Sequence, residues 1–230
     1  MTTDPKYTLR RAIPSLQKAS VLGRQKISLG VSLDNEEFYG KNLNGILTWI
    51  ENRYEECLIF VGDCLYAYTL QIFSPMDAVA VEQAVAKSAK TFRDQVIAFT
   101  SNSKTRFKMV SLAELSHRPE FQTAKTLIEK LYEGNEQFHS SVKKTATDYI
   151  QRKSKNGRLT MNSEKAVLLS VQYLLDEIAF YYMLVSDGWL LEVYPGSEIP
   201  VLREIIQGKI QNVPEILKQR VFLELRKEKL

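Results

Sequence analysis

The sequence is short of the residues on which several common chemistries depend. Its only cysteines, Cys57 and Cys64, flank one apolar stretch, and its only histidines are His117 and His139. Two thiols cannot build a disulfide framework, and two histidines without companions at ligand spacing do not make a metal site. The thiols read as structural and the histidines as surface residues, so the expectation is a mechanism with no metal and no cofactor. No run of 18 or more uninterrupted apolar residues is present, and the polar opening MTTDPKYTLRRAIPSLQK lacks the apolar segment and cleavage site of a secretion signal. A soluble cytoplasmic protein, clear of membranes, is expected. Neither a repeat, a low-complexity segment nor a linker divides the chain, which at 230 residues reads as one domain, 1–230, acting as a monomer.

What is present is an apolar fraction of 44%, enough for a substantial core, and an uneven charge distribution behind a net +4. Residues 1–26 carry Lys6, Arg10, Arg11, Lys18, Arg24 and Lys26 against Asp4 alone; QRKSKNGR (151–158) is a second basic cluster, and Lys87, Lys90 and Arg93 recur every three residues. Such patches suit a polyanionic partner, and they equally suit ordinary solvated faces.

KISLGVSL (26–33) is short, β-branched and ends before the turn-forming Asp34-Asn35, which predicts a buried strand. Leu43, Ile46, Leu47 and Ile50 then repeat at i, i+3, i+4, i+7 behind Asn42 as a potential N-cap, and CLIFVGD (57–63) supplies another apolar strand. Strand, helix, strand in this span is a βαβ unit and implies a parallel sheet with a right-handed crossover. A long helix is predicted over 76–99, with Val81, Val85, Ser88, Phe92 and Val96 on one stripe and Lys87, Lys90 and Arg93 off it. RFKMVSL (106–112) is a third strand, and 113–153 is helical with breaks near Pro119 and Gly134. A helix over 164–185 is capped by Asn162 or Ser163, GWLLEVYPG (188–196) is a fourth strand, and helical material such as IPVLREIIQGKI closes the chain. The fold class is therefore α/β, a parallel sheet covered by helices.

In such sheets ligands lie beyond the carboxyl ends of the strands. Ser32 sits at such an end, with Gly30 permitting close approach and Asn35 offering an amide, although Gly-x-Ser-x-x-Asn before a helix is also an ordinary turn. Tyr173 and Glu177, four apart in the nearly all-apolar SVQYLLDEIAFYYMLV, project from one helix face. One of Asp176 and Glu177 is expected to be buried, and with no cation in that helix after Lys165 its partner is either a residue from elsewhere in the chain or a substrate ammonium. Tyr194, just before Pro195-Gly196, is placed either to pass protons or to pack.

Together, Gly30-Val31-Ser32, Tyr173-x-x-x-Glu177 and Tyr194 resemble the motifs of the tRNA-dependent cyclodipeptide synthases, in order and spacing over residues 20–210. The resemblance implies a Rossmann-like domain similar to class I aminoacyl-tRNA synthetase catalytic domains but without their ATP signatures. It implies that Ser32 takes an aminoacyl group from one aminoacyl-tRNA, that a second aminoacyl-tRNA extends it to a dipeptidyl-enzyme, and that this cyclises to a diketopiperazine without ATP. In that scheme Glu177 and Tyr173 hold the aminoacyl ammonium, Tyr194 relays protons, Asn35 helps place the second aminoacyl group, and Arg152 touches substrate near the mouth. The helix bearing Lys87, Lys90 and Arg93 binds tRNA, with the N-terminal segment and Arg152, Lys153, Lys155 and Arg158 sharing the phosphate contacts. Tyr194-Pro195 matches the Tyr-Pro subgroup, although Asn35 is the residue that the Tyr-His subgroup carries. Leu29, Val61 and Leu191 are expected to wall the pocket.

Rival readings fit less well. Gly-Val-Ser-Leu-Asp is not the Gly-x-Ser-x-Gly elbow of an α/β-hydrolase, and no Gly-x-Gly-x-x-Gly follows the first strand as nicotinamide binding requires. A non-catalytic tRNA-binding protein would explain the basic patches but not Ser32, Tyr173, Glu177 and Tyr194 together.

Overall fold

The structure, a computed structural model, describes residues 4–15, 25–155 and 159–228; Lys18, Arg24 and Arg158 lie outside the described residues. Six strands, β1 (Tyr7–Ile13), β2 (Lys26–Val31), β3 (Glu56–Val61), β4 (Arg106–Ser111), β5 (Leu191–Tyr194) and β6 (Val221–Lys227), form one sheet in the order β1-β6-β5-β2-β3-β4. The four strands expected from the sequence are its β2 to β5, and β2 through β6 run parallel. The sheet is nevertheless mixed, because β1 pairs antiparallel with β6, and the chain closes on a strand rather than on helix. Both elements hide their period. In β6 five successive residues are buried, so no alternation shows, and in β1 the register shifts between Leu9 and Arg11, which breaks any alternation there.

Nine helices connect the described strands: α1 (Gly40–Glu51), α2 (Asp63–Phe73), α3 (Ala78–Thr100), α4 (Leu112–Ser116), α5 (Pro119–Gly134), α6 (Glu136–Ser154), α7 (Ser163–Ser186), α8 (Pro200–Ile206) and α9 (Glu215–Lys218). The apolar stripe of α1 is buried as its spacing requires, but the helix starts before Asn42, whose side chain instead accepts from Lys227 Nζ at 2.9 Å. α3 is capped by Asp77, and α7 by Asn162, whose Oδ1 accepts from Glu164 N at 2.7 Å. α7 is long and apolar enough to cross a membrane, yet most of its apolar side chains between Ala166 and Val185 are buried in the core, Leu168 being an exposed exception.

Strand alternation divides the interior in two. Ile27, Leu29 and Val31 with Cys57, Ile59 and Val61 face one core, shared with Leu43, Ile46, Phe92 and Val96 of α1 and α3. Leu58 and Phe60 face the other, built on α5, α6 and α7. Leu29, Val61 and Leu191 all belong to the α1/α3 side and line neither space of the site described below; of the residues beside them on their strands, Gly30 and Phe60 line its small chamber and Glu192 its larger cleft. From β2 the chain proceeds outward through β3 and β4, then returns to lay β5 and β6 on the other side of β2. The order therefore reverses between β2 and β5, and the crevice outside their carboxyl ends is where an open α/β sheet takes its ligand.

Candidate active site

Ser32 follows β2 and Tyr194 ends β5, so adjacent parallel strands deliver both side chains to the switch point. The Tyr194 hydroxyl donates to Ser32 Oγ at 3.2 Å and accepts from Asn35 Nδ2 at 3.2 Å. Asn35 Oδ1 caps the turn Glu36–Phe38 by accepting from Glu37 N at 3.0 Å, so both ends of its amide are engaged. Phe38 packs on the Tyr194 ring, with centroids 5.5 Å apart, and a Cβ on Gly196 would come within 2.9 Å of that ring. Burial raises the Tyr194 phenol above its usual range while its bonds to Ser32 and Asn35 pull it partway back, so it is a neutral hydroxyl at physiological pH.

The two carboxylates of α7 have different surroundings. Asp176 accepts from Tyr68 at 2.8 Å and Gln172 at 3.1 Å and pairs with Lys125 at 2.8 Å. Glu177 faces the cleft with Tyr173, and its Oε2 is buried without a hydrogen-bond partner. Burial, and then the Glu192 and Glu198 carboxylates, push the Glu177 carboxyl up to about 8 against the opposing pull of Arg220. Tyr173 is pushed well above its usual range by burial, then by Glu177.

Ser32, Asn35, Tyr173, Glu177, Tyr194 and Arg152 line one cleft of about 760 Å³. Arg152, at the end of α6, is exposed on its rim. Gly30 lines a chamber of about 30 Å³ against Ser32, and its lack of a Cβ makes room for neighbouring side chains: a Cβ there would lie 2.7 Å from Glu192 Oε1 and 2.8 Å from Phe60 Cζ. Lys87, Lys90 and Arg93 line neither space; they stand exposed on α3, with Lys90 paired to Asp94 at 3.1 Å. The N-terminal cations are largely committed within the fold. Arg10 and Arg11 both bind the buried Glu224, and Lys26 lies over the Trp189 ring at 5.0 Å.

Sequence reasoning missed the charged floor of this cleft. Arg220 donates through its Nε to Glu192 at 2.7 Å and through a terminal nitrogen to Glu198 at 2.7 Å, stacks on the Tyr181 ring at 3.8 Å, and is 2% exposed. Tyr181 completes the group by donating to Glu192 at 2.9 Å. The signal that could have found it was Glu192 inside LLEVY and Arg220 before VFLEL, charges in otherwise apolar strands that must find partners. Among the described residues no three histidine, cysteine, aspartate or glutamate side chains gather as a metal site would require.

The family model of the cyclodipeptide synthases matches residues 18–191. No curated protein sequence matches the chain. Among solved structures it is similar to a cyclodipeptide synthase from Fluoribacter dumoffii, at 16% identity over 98% of this chain and 99% of that one, with a TM-score of 0.79. A Mycobacterium tuberculosis protein, whose structure relates cyclodipeptide synthetases to type I tRNA synthetases, matches at 12% identity over 99% and 96% of the two chains, TM-score 0.73. The synthase of Candidatus Glomeribacter gigasporarum bound to Phe-tRNAPhe matches at 14% over 93% and 92%, TM-score 0.65. With a family match across most of its length, and a switch point that unites the motif residues, the chain belongs to the cyclodipeptide synthase family of aminoacyl-tRNA-dependent enzymes.

Proposed function

We propose that the protein joins the aminoacyl groups of two aminoacyl-tRNAs into a cyclic dipeptide, a 2,5-diketopiperazine, by ping-pong acyl transfer through Ser32 without ATP. The observation that carries this reading is the pairing of Ser32 and Tyr194 across from Glu177, a carboxyl with a buried, unpartnered oxygen, in one cleft. The Phe-tRNA complex of the Glomeribacter synthase supports aminoacyl-tRNA as the substrate class.

Ser32 Oγ attacks the ester carbonyl, and the C–O bond to the tRNA 3′-oxygen breaks. Because burial keeps Tyr194 protonated, it acts as a relay and not as a base: with its O–H turned from Ser32 toward the departing 3′-oxygen, it takes the Ser32 proton as it yields its own. The amine of the aminoacyl-enzyme then attacks the ester of the second aminoacyl-tRNA, releasing that tRNA and leaving a dipeptidyl-enzyme. Its terminal amine attacks the Ser32 ester, which closes the ring and frees the serine. Each attack requires a neutral amine. Burial holds the Glu177 carboxyl up at about 8, high enough to exchange a proton with an α-amine beside it. Tyr173 flanks that carboxyl, and Asn35 positions the Tyr194 hydroxyl. Tyr194-Pro195 supports assignment to the Tyr-Pro subgroup. Lys87, Lys90 and Arg93, with Arg152, Lys153 and Lys155 at the end of α6, contact tRNA phosphates. We place the reaction in the cytoplasm, by a monomer.

Mass spectrometry after mixing the protein with charged tRNAs and no ATP should find an aminoacyl adduct on Ser32 and a cyclic dipeptide. A Ser32→Ala variant that forms the product at the parent rate overturns the mechanism.

A further inference from the structure

We propose that the aminoacyl group loaded on Ser32 must carry a small side chain, of alanine, serine or valine size, and that Phe60 sets this limit. The proposal rests on acyl transfer to Ser32. Beside Ser32, between the carboxyl ends of β2 and β3 and helix α7, lies the chamber of about 30 Å³ that Glu177 and Tyr173 also line. Ser32, Tyr173 and Glu177 line both this chamber and the adjoining cleft; the proposal seats the side chain of the first aminoacyl group in the chamber, against Phe60, Leu65, Leu112 and Phe180. A water needs about 10–15 Å³ on this measure, so the chamber holds two or three groups of that size, far short of a benzyl side chain.

The wall has little room to yield. Phe60, Leu65, Leu112 and Phe180 are all buried members of the α5/α6/α7 core. Phe60 packs edge-on against Tyr181, centroids 5.9 Å apart, and Phe180 stacks on Phe121 at 4.2 Å. Rings packed at crystal density retreat only by disturbing the neighbours behind them. Phe60 also stands directly across from Gly30 in the β2–β3 register, so its ring closes the chamber from the strand side. The adjoining cleft of about 760 Å³ places no comparable limit on the second aminoacyl group.

The test uses one tRNA sequence charged in turn with alanine, valine, leucine and phenylalanine, so that only the aminoacyl group varies, and follows the Ser32 adduct in a single turnover. The wild-type protein should acylate at least about tenfold faster with alanine or valine than with phenylalanine, the scale expected when a pocket lacks room. Phe60→Leu and Phe60→Ala should raise leucine and phenylalanine transfer relative to alanine by at least about tenfold. Phenylalanine transfer as fast as alanine transfer in the wild type overturns the proposal, whether or not either variant folds, and so does an unaltered preference in a folded variant. The absence of any Ser32 adduct with all four charged tRNAs overturns instead the acyl-enzyme reading beneath it.

Discussion

Asp176 and Glu177 are consecutive on α7, and the roughly 100° that separates neighbours on a helix sends them to different surroundings. Lys125 and two hydrogen bonds meet Asp176, whereas Glu177 turns into the cleft under the influence of two further carboxylates. The unfolded carboxyl titrates near 4.5 and the folded one near 8, so across that interval the native state keeps a proton that the unfolded chain releases. Stability contributed by this site is fully present below about 4.5 and is lost as pH rises toward 8. Glu177→Gln, unable to ionise, should nearly match the parent near pH 5 and exceed it at pH 8 by roughly 3–4 kcal/mol, in urea titrations at the two pH values. Parallel curves at both would contradict the raised carboxyl. The same variant should lose most cyclic dipeptide formation while binding tRNA nearly as well as the parent, and comparable losses in both would argue against a role at the amine. The Tyr173/Glu177 spacing was legible because helix geometry fixes which positions share a face. Which of the two acids lacked a partner was not legible, since Lys125 and Tyr68 come from other elements.

At the level of elements, Glu192 on β5 and Arg220, the residue just before β6, tie neighbouring strands by a buried charge pair, and Glu198 adds the loop after β5. Removing one member of such a group leaves the others charged and dry. Arg220→Met should therefore destabilise the fold by about 3–5 kcal/mol, measured by denaturant unfolding. A loss below about 1 kcal/mol would mean that the two glutamates take up protons at little cost. The middle strands could be read directly from the sequence, because short β-branched runs bounded by turn residues have few alternatives. β1 and β6 could not, because the charges that interrupt them, Arg10, Arg11 and Glu224, are intelligible only once those residues are known to meet one another. The choice of wall residues failed for a related reason: naming Leu29 in place of Gly30 exchanges one face of the sheet for the other.

For the whole molecule, the net charge of +4 says less than where free cations remain. Arg10 and Arg11 are held by Glu224, while Lys87 and Arg93 stand exposed on α3, and the Lys90–Asp94 pair is solvated enough to yield to a phosphate. Lys87→Ala with Arg93→Ala should weaken tRNA binding and lower the slope of log affinity against log salt by roughly 0.7–0.9 for each phosphate no longer neutralised. An unchanged slope would remove α3 from the interface. The basic helix was visible in sequence because its cations share a spacing, whereas the pairing of the N-terminal arginines depends on a residue more than 200 positions away. That long pairing also orders events during synthesis. β1 is made first and lies at the sheet edge, with β6 as its neighbour, and Arg220 enters just ahead of that strand. A nascent chain halted before residue 220 would carry Ser32, Tyr173, Glu177 and Tyr194 but neither the partner for Glu192 and Glu198 nor the strand that seals the edge. Under the proposed reaction at Ser32, activity should therefore appear only once β6 has joined the sheet, and a chain truncated before residue 220 should form no Ser32 adduct.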